Sequence, residues 1–172
     1  MDEVIRYAGA ADLRRWYASR ELSPVEFLRA TLDLLADNVR LNAFVTVAAE
    51  VAMAQAEAAE RRIRTLGTDA WDGQPLLGVP VSVKDLTPTA GIRTTRGSLR
   101  YADWTPDRDA PAVRRLREAG SVIFGKTNTS EFGWSAGTVN RLMPPTANPW
   151  DLSRSAGGSS GGAAAAVAAG IG

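Results

Sequence analysis

The 172-residue chain carries 20 basic and 19 acidic side chains, a net charge of +1 that gives no electrostatic footing for nucleic acid or an anionic membrane. It has no cysteine and no histidine, which excludes disulfides, thiol catalysis, thiolate or imidazole metal sites, and a Ser-His-Asp triad built within the chain. With 45% hydrophobic and 23% charged residues the composition is that of an ordinary globular protein. No run reaches the ~18 apolar residues of a membrane span. The opening MDEVIRYAGAADLRRWY lacks the apolar stretch of a signal peptide, so the expected compartment is the cytoplasm.

The first third reads as helical. Ser23-Pro24-Val25-Glu26 is a capping box with proline at the first helical position, followed by Val25, Leu28, Leu32 and Leu35 on one stripe. Residues 49–66 form an alanine-rich helix with Glu57/Arg61 and Glu60/Arg64 as i,i+4 pairs, closed by Gly67. At Leu76 the period changes: LLGVPVSVKDL is short, rich in Val and Leu and flanked by Gly and Pro, which predicts a strand near the sheet centre. Asp109 and Pro111 open a helix with Val113 and Leu116 on its apolar side, closed by Gly120, and SVIF (121–124) is the next buried strand. Residues 127–150 read as loop, and 148–156 as polar loop. This order predicts an α/β fold, a sheet covered by helices, with a helical part over 1–70 and a sheet and motif part over 76–172 of one domain.

Residues 157–162, GGSSGG, read as a tight turn of four glycines that presents Ser159 and Ser160 at the start of an alanine-rich helix with free N–H groups. It contains GxSxG, but a nucleophile elbow needs a preceding strand and a histidine, and this sequence has neither. A purely structural turn is the plain alternative. Residues 120–127 fit the Walker A pattern, yet Ser-Val-Ile-Phe fills the variable positions and reads as a strand, so no phosphate cradle is expected.

Only two lysines, Lys84 and Lys126, stand against eighteen arginines. Arginine keeps its proton in a protein whereas a buried lysine can lose it, so the scarcity points to a chemical role for at least one lysine. Lys84 ends the strand Val-Pro-Val-Ser-Val. Burial there lowers its pKa and makes it a base that can replace histidine beside serine hydroxyls. The alternative is a surface pair with Asp85.

Together, GVPVSVKDLTPTAGIRTTRGS (78–98), DAPAVRRLREAGSVIFGKTNTSEFGW (109–134) and NPWDLSRSAGGSSGGAAAAVAAG (148–170) resemble the amidase signature family in order and spacing. The resemblance implies that family's mixed sheet covered by helices, incomplete at the C-terminus, and hydrolysis of a small carboxamide by serine acyl transfer, without metal or cofactor. It implies Lys84 as general base, Ser159 as a relaying serine on a cis peptide bond, Ser160 as a supporting hydroxyl, and Gly133, Trp134 and Ser135 on the substrate pocket. The family's nucleophile lies roughly two dozen residues past the relaying serine, on a Gly-Gly-Ser turn that supplies the oxyanion hole. Thirteen residues follow Ser159, so by resemblance the chain is the N-terminal part of such an enzyme, a fragment or a truncated gene product, and is inactive alone. The alternatives are an amidotransferase-type subunit that passes ammonia from glutamine within a complex, a homo-oligomer being equally compatible, or a non-catalytic remnant.

Overall fold

A computed structural model describes residues 3–172. The chain begins with α1 (Glu3–Arg6), α2 (Ala10–Ser19) and α3 (Pro24–Asp37). The box that starts α3 is formed as its residues require: Ser23 Oγ accepts from Glu26 N at 3.1 Å, and Ser23 N donates to Glu26 Oε2 at 2.8 Å. One stripe of α3, with Leu28 at its centre, packs on Ala52, Ala56 and Phe124, while Phe27 on another side joins Leu13, Tyr17 and Ile63. After β1 (Phe44–Val47), α4 (Ala49–Leu66) ends at Gly67 and carries both foreseen ion pairs, Glu57–Arg61 at 3.8 Å and Glu60–Arg64 at 2.7 Å.

β1 corrects the all-helical reading of residues 1–70. Phe-Val-Thr-Val has the aromatic and β-branched character of a strand, but four residues between helices are too few to register as a period. It pairs antiparallel with β3 (Val122–Thr127), Phe44 opposite Thr127 and Thr46 opposite Lys126. The N-terminal part thus shares one sheet with the rest.

β2 (Pro80–Lys84) lies parallel to β3 on its other side, giving the order β1-β3-β2. Among the described residues, the stretch 76–86 that was expected near the sheet centre thus supplies the outer strand. All six residues of β3 are buried and it is the central strand, whereas β2, half-buried at Val81, Ser82 and Lys84, is an edge among the described residues. The crossover runs through a long loop and α5 (Pro111–Glu118). Asp109 does not cap α5. Its carboxylate accepts from Ala90 N at 2.7 Å and pairs with Arg117 Nε at 3.0 Å, tying the loop to the helix, and Ala110 takes the cap position.

A further correction concerns residues 147–155, where β4 (Ala147–Asn148) and β5 (Asp151–Ser155) form an antiparallel ribbon in place of a loop. Asn148 Oδ1 accepts from Trp150 N at 2.9 Å and turns the chain, while all of β5 is exposed, so no apolar alternation marks it in the sequence. Finally α6 (Gly161–Ala168) lies on the sheet, with Ala165, Ala166 and Ala169 against Val122 and Phe124. Their short side chains let the helix sit close.

The Walker-like segment is strand. Residues 122–127 are paired to β1 and β2, and Lys126 is fully buried, which leaves no loop to wrap an anion. Calorimetric titration with magnesium ATP is expected to give no saturable heat; micromolar binding lost in Lys126→Ala would contradict this. Among the described residues no helix is long and apolar enough to cross a membrane, and no group of His, Cys, Asp or Glu is placed to hold a metal ion.

Candidate active site

A bulge decides where the two lysines go. Val81 pairs with Ile123 but Ser82 pairs with Gly125, so β3 carries one extra residue between these pairs. The alternation of faces reverses there. Ile123 packs with Val83, Ile92 and Val113 on one side, while Val122 and Phe124 pack on the other side with α6. Lys126, in register with Val83, takes the first face, and Lys84, in register with Thr127, takes the face of α6. Gly125 is needed at the bulge, since a Cβ there would stand 2.9 Å from Phe44 Cδ1 and from Thr46 O.

Lys84 Nζ lies 2.7 Å from Ser159 Oγ and 2.8 Å from Ser160 Oγ, across 75 residues of chain in the first case. The Gly158–Ser159 peptide bond is cis. The four glycines do not act alike, and this corrects the reading of a four-glycine turn. Gly157, with φ +77°, belongs to the turn, while Gly161 and Gly162 are already in α6. They are small because other parts of the chain come close: a Cβ on Gly162 would stand 2.6 Å from the backbone oxygens of both Ala43 and Asn128, and one on Gly161 2.9 Å from the side-chain Cβ of Thr138. The first N–H groups of α6 are not free either. Gly161 N donates to Thr138 Oγ1 at 2.8 Å and Gly162 N to Asn128 O at 3.3 Å.

Thr138 and Asn128 are the residues that the sequence reading passed over as loop. Thr138 donates to Gly157 O from its amide at 2.9 Å and from its hydroxyl at 2.7 Å, and so holds both ends of the serine turn. Asn128 Oδ1 accepts from Asn140 Nδ2 at 2.7 Å, while its amide donates to Thr146 Oγ1 at 3.0 Å. The available signal was the run Thr127-Asn128-Thr129-Ser130, four polar residues at and just past the end of a buried strand and all buried themselves.

Of the three expected pocket residues, only Gly133 adjoins the serine turn. Its φ is +72°, and a Cβ there would meet Leu86 Cδ1 at 2.5 Å and Ser159 Oγ at 3.8 Å. Trp134 is 88% exposed, pointing away from any enclosed surface of these residues. Ser135 closes its own turn: its N donates to Ser130 Oγ at 3.2 Å, and its hydroxyl accepts from Gly137 N at 3.3 Å.

Burial lowers the Lys84 pKa from the ordinary lysine value. Its partners are two hydroxyls, each able to donate into a nitrogen lone pair as well as accept, so the setting suits a neutral amine and a proton can pass between Nζ and Ser159 Oγ. Asp85 does not form the surface pair with Lys84. It is fully buried on Thr95, with burial raising its pKa against the bonds from Thr95 and the charges of Lys126 and Arg93.

A mixed sheet under helices thus brings a lysine at a strand end against a Gly-Ser-Ser-Gly segment. The sequence model of the amidase family matches residues 26–172, and the chain belongs to the amidase signature family. It is 46% identical over 168 residues to the A subunit of the glutamyl-tRNA(Gln) amidotransferase of Moorella thermoacetica, covering 95% of this chain and 33% of that protein. A bacterial aryl acylamidase of the amidase signature family superposes with a TM-score of 0.88 at 34% identity, covering 97% of this chain and 34% of the other. The corresponding amidotransferase polypeptide of Thermotoga maritima superposes with a TM-score of 0.75 at 30% identity, covering 99% and 34%. The chain thus spans about a third of the length of the relatives it matches.

Proposed function

We propose that residues 1–172 form one domain unit that supplies the proton-transfer half of a carboxamide-cleaving active site. Lys84, neutral, takes the proton of Ser159, and Ser159 in turn takes the proton of an attacking serine outside residues 1–172. Ser160 holds the lysine in line. The attacking oxygen adds to the amide carbonyl and the amine leaves with the relayed proton; water then adds to the acyl carbon, giving its proton to the same relay, which returns it to the departing serine as the acid is released. The observation that carries this reading is the 2.7 Å approach of Lys84 Nζ to Ser159 Oγ. Gly133, with no Cβ, lets Leu86 pack beside Ser159 and lines the site from that side. The test joins residues 1–172 to the remaining two thirds of the Moorella thermoacetica relative and assays ammonia release from simple amides. An active chimera that keeps its turnover in Lys84→Ala or Ser159→Ala overturns the relay.

A second reading has its own support: relatives at 43–47% identity carry the name of an amidotransferase component. In that case the amide is glutamine, and the ammonia passes to an acyl acceptor within a complex. Ammonia release from glutamine that rises on adding the relative's partner subunits favours this reading; equal rates on simple amides without partners favour the free amidase.

The base must be neutral to act, and burial lowers its pKa. The acid limb of kcat/KM in the active chimera is therefore expected below the ordinary lysine value of ~10.4, with activity rising as pH increases and then levelling. A limb centred at that value would show Lys84 to be solvated as in water.

A further inference from the structure

Lys126 has no place in the chemistry above, yet it is fully buried and saturated with partners. Its Nζ donates to Thr87 O, to Thr89 Oγ1 at 2.7 Å and to Thr94 Oγ1 at 3.0 Å. Both hydroxyls direct their own protons elsewhere, Thr89 Oγ1 to Thr87 O at 3.1 Å and Thr94 Oγ1 to Ile92 O at 3.0 Å. Each therefore offers Nζ only lone pairs. Three acceptors call for three N–H groups, so Lys126 is an ammonium where Lys84 is suited to be an amine. Burial pushes the Lys126 pKa down to about 8, while the carboxylates of Asp85 and Asp109 hold it up, with Arg93 beside Asp85.

All three acceptors lie on the loop that leaves Lys84. The base of that loop is closed by Asp85, which accepts from Thr95 N at 3.0 Å and from the Thr95 hydroxyl. Its far end meets the turn at 130–133: Arg96 O accepts from Phe132 N at 2.8 Å, and Gly97 sits so close that a Cβ would stand 2.9 Å from Ser130 O. The same turn places Gly133 against Leu86 and beside Ser159 Oγ. Contacts therefore run in a ring from Lys84 through the clamped loop and the 130–133 turn back to Ser159.

The geometry points to Lys126 as a positioning residue for the Lys84–Ser159 pair: its ammonium holds residues 85–97 in the shape that seats Leu86 and Gly133 beside Ser159 and keeps water from Lys84. The inference rests on the relay reading, since the pair it positions is the proposed base and relay. It does not share that reading's test.

With only two lysines in the chain, protein labelled at lysine side chains gives two resolvable ammonium-carbon signals, and Lys84 can be titrated directly by NMR. In Lys126→Met the Lys84 midpoint is expected to move up toward the ordinary lysine value by about half a unit or more, because a loosened loop rehydrates the amine and a positive charge is removed. Thr94→Val, which removes one acceptor, is expected to move it in the same direction by less, and it decides the matter if Lys126→Met does not fold. A merely structural role predicts a lower urea midpoint with the Lys84 titration unmoved in Thr94→Val, where no charge is lost. An unmoved Lys84 midpoint in the folded variants overturns the positioning role whatever the activity. The relay reading fails by a different result, turnover of the chimera that survives Lys84→Ala.

Discussion

Lys84→Ala, in a chimera of residues 1–172 with the rest of a longer relative, is expected to lower amide turnover by about 10²–10⁴-fold, the range that a positioned base contributes. Ser159→Ala should fall as far, and the double variant no further, because members of one relay act as a unit and their losses do not add. The structural basis is the contact of Lys84 Nζ with Ser159 Oγ at 2.7 Å and with Ser160 Oγ at 2.8 Å. The polypeptide of residues 1–172 by itself is expected to show no turnover above background. Ser160 is the nearby hydroxyl left to attack with, but it contacts the same nitrogen from the same turn as Ser159, and an attacking oxygen must stand across from the relay. Nor is an oxyanion site formed beside it, since the first amides of α6 are already bonded to Thr138 and Asn128. A missing oxyanion donor typically costs 10²–10³ in rate. Purified 1–172 assayed for ammonia or amine release is the check: turnover that vanishes in Lys84→Ala would show that these residues carry their own nucleophile.

The second large effect is on stability, and its sign opposes helix propensity. In an open helix Gly→Ala gains about 1 kcal/mol. At Gly162 the added Cβ would stand 2.6 Å from both Ala43 O and Asn128 O and closer still to Asn128 N, three backbone atoms with no flexible end to move. We expect Gly162→Ala to destabilise by roughly 3 kcal/mol, the upper end of what overpacking costs, and to part α6, which begins at the serine turn, from the start of β1 and the end of β3. Urea unfolding followed by circular dichroism measures it. Ala164→Gly, at an exposed position of the same helix, is the control and should lose only about 1 kcal/mol. A Gly162→Ala protein as stable as the parent would show that the helix can shift away from Asn128 at little cost.

Much of this molecule was legible in its residues one segment at a time. The capping box at Ser23, the stripe from Val25 to Leu35, the pairs on α4 and the buried run at 121–124 all rest on signals contained within one or two turns or one short strand, and each formed as read. The motif segments were legible too, because Lys84 is one of two lysines and the serine pair sits among glycines whatever the chain does elsewhere. Other features depended on partners far away. β1 is four residues long and is a strand because β3 lies beside it, and the ribbon at 147–155 has no buried face to announce it. Nothing near Gly161 or Gly162 says that they serve close packing and not turning, for the atoms that crowd them belong to Ala43, Asn128 and Thr138. The two lysines look alike in sequence, each at the end of a short apolar run. A one-residue bulge at Gly125 sends them to opposite faces, one to hydroxyls that accept or donate, the other to three acceptors that require its charge. Local pattern determines which elements form and which side chains are available for chemistry. Register, face and protonation are set by contacts across tens of residues, and only the folded chain brings those together.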